Sequence, residues 1–418
     1  MRRAAAALAT ATFWQTSPYG EVDAALVDGL ERAVALADDA PVAERALLVG
    51  ALADAVYYDP DRTRSLARSA QAVALARAAG HPDTLVLALS QRFRALWRDS
   101  LVDEQDDIGT ELVATLEAGG VTPGVAAVAH LVVAVLALSH ADRRTFELHL
   151  SAARADADRS RLPGLLSQVG WAEVAWLAAR GQYDDALALA RDVDRLYRRA
   201  RGWQADDILG AFELSIAVDR GTLADHLSQA SALVDGGFPS TAREVVAWML
   251  VEDGRLDEAR ALVGPAGTVP DPAADWLWLE TVTAAAHVRA SLGDASACAT
   301  LFERLRPFAG RCDVTTGPFL GGIDLALARL ADVLGDHTAA RHHAAAAVGM
   351  LEALDTPPAL ARALVVQGSL LAAADDPADR DRASAVLDRA RRIAESIGLV
   401  PVLAALDHMQ AVSKVGGG

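Results

Sequence analysis

The chain is 418 residues long and carries a net charge of −17; 52% of it is hydrophobic and only 5% aromatic. That apolar content excludes a disordered chain and is enough for an extensive core. With Lys414 the sole lysine, the acidic surface repels phosphate backbones and anionic lipid, so nucleic-acid and membrane-surface partners are not expected, and two cysteines, Cys298 and Cys312, exclude a disulfide scaffold and fit a reducing cytoplasm.

Met1-Arg2-Arg3 followed by Ala4 to Leu8 has the outline of a secretory leader. The apolar stretch is short and broken by Thr10 and Thr12, so an alanine-rich first helix is expected instead. The richest apolar segment, Val121 to Ser139, is interrupted by Pro123, Gly124 and His130. It falls short of the roughly 18 consecutive apolar residues of a bilayer span, and a soluble, cytoplasmic chain is expected. In Tyr183 to Leu196, Ala186, Leu187, Leu189, Ala190, Val193 and Leu196 form the stripe of an amphipathic helix. The same period recurs along the chain, and no segment alternates at period two. The fold class is all-α.

One turn recurs. Arg180-Gly181-Gln182-Tyr183-Asp184, Arg220-Gly221-Thr222, Asp253-Gly254-Arg255, Leu292-Gly293-Asp294 and Leu334-Gly335-Asp336 place their glycines 40, 33, 39 and 42 residues apart. Ala141-Asp142-Arg143 continues the register upstream with alanine in place of glycine, and Asp59-Pro60-Asp61 and Pro377-Ala378-Asp379 extend it more weakly to both ends. Glycine ends the first helix of a pair in a left-handed conformation, and the Asp, Thr or Ser after it caps the second. A lone hairpin cannot bury its apolar face, so the pairs must stack. The pattern predicts about nine tetratricopeptide-like antiparallel pairs in a right-handed α-solenoid over residues 1–415, with 416–418 a flexible tail. Gly264 to Pro272 and Gly310 to Gly322 read as loops between pairs.

Asp275-Trp276, Leu292-Gly293-Asp294, Leu305-Arg306-Pro307-Phe308-Ala309-Gly310-Arg311, Leu334-Gly335-Asp336, Ala339, His342 and Leu360-Ala361-Arg362-Ala363 occur in that order, preceded by Tyr57-Tyr58-Asp59-Pro60, Gly80-His81-Pro82-Asp83-Thr84 and Arg92 to Trp97. This order resembles the helical-repeat sensor region of large actinobacterial signal-transduction ATPases of the LuxR-type, MalT-like or cyclase-linked kind. The resemblance implies a sensor that binds a ligand or partner and reports its presence. The chain departs from that family: it has no G-x-x-x-x-G-K-[ST] loop, no room for a helix-turn-helix in Val400 to Gly418 and no cyclase-like segment. It reads as the sensor array of a longer regulator or as a stand-alone relative, and no ATP or DNA role transfers to any residue.

No metal or cofactor is expected. Arg341-His342-His343 sets its imidazoles about 100° apart on a helix, and Cys298 and Cys312 stand in no CxxC. Acids inside apolar first helices are more informative: Glu173, Glu213, Glu280 and Asp324 interrupt apolar runs, with Trp171 beside Glu173 and Trp276 and Trp278 beside Glu280. Trp276 and Glu280, four apart, share a helical face. Arg92, Arg94, Trp97 and Arg98 offer a cationic counterpart near the amino end. Such acids either fix repeat register through buried salt bridges or line a concave groove for a cationic or amphipathic guest. The expected function is a non-catalytic sensor or scaffold holding a protein, peptide or small-molecule effector in its concave groove, within a transcriptional or signalling regulator. An enzyme using acidic and aromatic groove residues, such as a cyclase or isomerase of secondary metabolism, is the alternative, and a second copy of the chain is a further candidate partner.

Overall fold

The computed structural model describes residues 12–14, 18–97, 102–200, 202, 205–236, 239–272, 276–313, 319–374 and 376–416. The alanine-rich start, Arg98, Asp275, Gly417 and Gly418 lie outside the described residues. Among the described residues the secondary structure is helical, with no strand beyond one isolated bridge between Cys312 and Gly322.

Nine pairs follow one another, flanked by α1 (Ala24–Ala35) and α20 (Val400–Gly416). In chain order they are α2 (Val42–Ala55) with α3 (Arg62–Ala79), α4 (Pro82–Leu96) with α5 (Val102–Ala118), and α6 (Pro123–Ser139) with α7 (Arg143–Ser160). Then come α8 (Pro163–Ala179) with α9 (Tyr183–Arg199), α10 (Ala205–Asp219) with α11 (Leu227–Val234), and α12 (Pro239–Glu252) with α13 (Leu256–Val263). The last three are α14 (Trp278–Ser291) with α15 (Ala295–Leu305), α16 (Ile323–Val333) with α17 (His337–Leu354), and α18 (Pro357–Ala372) with α19 (Pro377–Ile397). From α1 to α5 and from α14 to α20 each helix packs on the next, as a helical repeat requires. The segments 264–277 and 306–322 join successive pairs, as their Gly and Pro content predicts.

The turn chemistry explains the hairpins. Gly254 and Gly293 hold φ of 79° and 70°, and Ala141 holds the same left-handed region at 58°. After Gly254 the Arg255 amide donates to the Leu250 carbonyl at 2.8 Å, closing the end of the helix. Asp294 and Asp336 cap as expected, accepting from the amides of Ala297 and Ala339 at 3.1 and 2.9 Å. Thr222 does not cap: its hydroxyl turns back to the Ala217 carbonyl at 3.3 Å, and a 3-10 turn, Leu223–His226, precedes α11.

Contacts gather the chain into two compact units. The first holds the described residues up to Ala137 with Arg144–Ala172 and Asp192–Ala205. The second holds Leu138–Arg143, Glu173–Arg191 and the described residues from Asp206 on. In the first unit, Leu30, Leu48, Leu52 and Val56 bury the seam between α1 and α2, and α6 buries Val125 to Val133 almost throughout. In the second, Leu214, Val246, Met249 and Val288 join the first helices of three successive pairs, and Leu351, Leu360, Ala390 and Leu399 do the same for the last elements. No helix among the described residues is long and apolar enough to cross a membrane.

Candidate functional site

Of the acids and aromatics singled out by the sequence, Trp171, Glu280 and Asp324 are buried. In the first unit Trp171 is fully buried edge-on against Tyr197, with ring centroids 6.4 Å apart. Trp97 packs on Phe13 and Phe93 at 5.5 and 5.2 Å. Arg92 grips Glu104 with two bonds of 2.7 and 2.9 Å, and Arg94 holds Asp54 at 2.7 Å. These arginines are engaged inside their own unit.

In the second unit Glu173 and Trp276 are half-buried, and Glu213 accepts from Gln229 at 2.9 Å. Glu280 is buried at 3% exposure, and Trp278 packs against Phe308 at 5.8 Å. α14 starts at Trp278, so Trp276 lies in the turn before the helix that carries Glu280. Asp324 is spent on structure: it accepts from the Gly310 amide and faces His343 Nδ1, both at 2.6 Å, which ties the 306–322 loop to α16 and α17.

A different set of side chains does converge, and all of it lies in the second unit, on first helices of pairs or, for Tyr183, at the start of α9. Asp219 ends α10 and Glu252 ends α12. Arg362 of α18 donates through Nε to Glu252 at 2.6 Å and through Nη2 to Asp219. Its guanidinium stacks on Trp248 at 5.7 Å, and the Tyr183 hydroxyl donates to the other Asp219 oxygen at 2.5 Å. Arg329 of α16 approaches Glu252 at 3.6 Å. His287 of α14 lies near Glu252, Arg329 and Arg362, 1% exposed, with neither ring nitrogen hydrogen-bonded among the described residues.

Burial and charge set the protonation of this cluster. Burial pulls against the Glu252 carboxylate, but Arg362 and Arg329 overcome it and hold Glu252 at about 2. Burial lowers His287 to about 3, and Arg329 adds to the effect, so its ring is neutral. Burial pushes the Tyr183 phenol far above its ordinary range, and the Asp219 charge adds to it. Beside the cluster, Tyr183, Ser215, Trp248, Phe319, Pro358 and Arg362 line a pocket of about 30 Å3. That is space for about two waters or one small apolar group.

The sequence missed this cluster because Asp219-Arg220 and Glu252-Asp253 sit beside the repeat glycines and read as solvated turn charges. Arg362 carried the available signal: a single guanidinium inside Pro358-Ala359-Leu360-Ala361-Arg362-Ala363-Leu364 must find an anion once that run is buried. No protein-family model and no curated protein matches the chain.

Proposed function

We propose that the chain is a non-catalytic binding scaffold, the sensor part of a signalling or transcriptional regulator, and that it holds a protein or peptide segment at the inner face of its second unit. The observation that carries this is the pocket beside Arg362. At about 30 Å3 it is an order of magnitude below the roughly 300 Å3 at which sites for whole small molecules begin. A seat of that size takes one small side chain of a larger guest, with Trp248 and Phe319 as its walls. Asp219 and Arg362 also line the pocket, but they are paired with each other and Arg362 with Glu252, so the seat presents no unpaired charge to a guest.

The protonation states favour binding over catalysis. Glu252 at about 2, His287 at about 3 and a phenol raised far above its range leave these three without a group poised to exchange a proton near pH 7. The test is selection of displayed peptides against the full chain, with Ser215→Leu as the blocked form. Ser215 lines the pocket and takes no part in the Arg362 ion pairs, its hydroxyl bonding the Phe212 carbonyl of its own helix, so the change fills the seat without removing a partner of Arg362. Selected peptides should lose at least tenfold in affinity on Ser215→Leu. Equal binding to both forms, or no peptide selected at all, would overturn the proposal.

A further inference from the structure

The first unit contains a second arrangement that the binding reading does not use. His130 projects from α6 and His149 from α7, across the hairpin, and their Nδ1 atoms face each other at 2.9 Å. The rings are tilted by 51° with centroids 5.0 Å apart. Behind His130, its Nε2 lies 3.6 Å from a carboxylate oxygen of the buried Asp156, whose other oxygen pairs with Arg159. The His130 side chain is 17% exposed and His149 is half-buried, so solvent reaches the pair.

Two neutral imidazoles can meet this way only if one Nδ1 carries a proton and the other accepts it. The carboxylate behind His130 favours the proton on its Nε2, which makes His149 Nδ1 the donor. Burial, and then the His149 charge, holds His130 at about 4, and burial also lowers His149, so both rings are neutral near pH 7. Arg159, whose charge acts on His130, is paired with Asp156.

We propose that His130 and His149 form a two-histidine chelate for a transition-metal ion, with Cu2+ the preferred metal. A metal nitrogen bond is about 2.0–2.1 Å, so two nitrogens 2.9 Å apart subtend about 90° at a shared ion. That is the angle between neighbouring positions of a square-planar or octahedral ion. For a site of imidazole nitrogens the intrinsic affinity order of the divalent ions puts Cu2+ first. The ion takes the place of the shared proton. His149 moves its ring proton from Nδ1 to Nε2, so no proton is lost. Asp156 then plays the usual outer part of a carboxylate–histidine–metal chain and fixes the His130 tautomer. Among the described residues no third His, Cys, Asp or Glu completes a metal-holding group, so water fills the remaining positions.

The experiment titrates the full chain with CuSO4 and reads electron paramagnetic resonance and imidazole nitrogen NMR. One tight Cu2+ per chain with coupling to two nitrogens is expected, and the first imidazole signals to broaden should be those of His130 and His149. His149→Phe should abolish the two-nitrogen pattern and weaken binding at least tenfold, and Asp156→Asn should weaken it severalfold. The broadening needs no variant, so it decides the matter even if a substitution fails to fold. First broadening at His342, His343 or any other histidine would overturn the proposal, and so would Zn2+ binding more tightly than Cu2+.

Discussion

Asp219 and Glu252 are each the last residue of a helix, where the free carbonyls repel an anion, and both side chains are nearly out of solvent. They persist because Arg362 reaches both, and their removal from water is compensated only while it does. Arg362→Ala should therefore cost about 3–5 kcal/mol in urea unfolding, while Arg362→Met with Glu252→Gln and Asp219→Asn should recover most of the loss. A single-variant loss under 1 kcal/mol would show that the network is not closed. His287 gives a second test. Its folded pKa of about 3 lies below the ordinary 6.5, so the unfolded chain binds the proton first as pH falls. Its contribution is complete above pH 6.5 and is lost as the pH falls towards 3, about 2 kcal/mol being gone by pH 5. His130, lowered to about 4, acts in the same direction. The urea midpoint should drop between pH 7 and pH 5, and His287→Leu should drop less; equal slopes would remove His287 from the account. At this scale the sequence announced that acids would be buried on first helices, and Glu280 and Asp324 are, but it passed over Asp219 and Glu252. Glu213 interrupts an apolar run and accepts from Gln229, whereas Asp219 and Glu252 looked like turn residues. That Asp219 and Glu252 meet an arginine depends on α18, far along the chain, and spacing within α10 or α12 carries no trace of it.

The repeat turn was legible because its chemistry is local: a glycine at positive φ and an acid that caps need no distant partner. What the spacing could not show is which turns are also crowded. Gly254 has φ of 79° and open space where a Cβ would stand. Gly221 has φ of 69°, and a Cβ there would meet Val400 Cγ1 at 2.6 Å, from the start of α20. Gly254→Ala should cost about 1 kcal/mol from backbone strain alone. Gly221→Ala should cost clearly more, and Val400→Ala should recover the steric part without recovering the strain. Thermal melts of the three variants decide this, and equal losses at Gly221 and Gly254 would mean that the turn and α20 are not in contact. The Thr222 turn shows the opposite limit. Its residue type suits a cap, but its hydroxyl bonds the preceding helix and a 3-10 turn takes over, a choice between two local bonds that the sequence leaves open.

Nine stacked pairs follow from period, turn and loop length, and those are the features that a one-dimensional array reveals. In an ideal array each repeat touches only its neighbours, so stability is a chain of local terms. The second unit breaks that rule. Arg143 bonds Asp355 at 2.7 Å across 212 positions, Arg180 joins the same carboxylate at 3.0 Å, and Arg362 reaches back 143 positions to Asp219. Its early turns are thus tied to its late helices through side chains. Nothing in the repeat period encodes them. The consequence is cooperativity across sequence distance, measurable by native-state hydrogen exchange on the full chain. In Arg362→Met, the amides of Arg220, Gly221 and Thr222, which close α10, should exchange faster by the same factor as those of α18. The amides of α15, nearer in sequence but engaged through Cys298, Leu301 and Leu305 with α14 and α16, should keep their protection. Loss of protection confined to α17, α18 and α19 would return the second unit to a nearest-neighbour array.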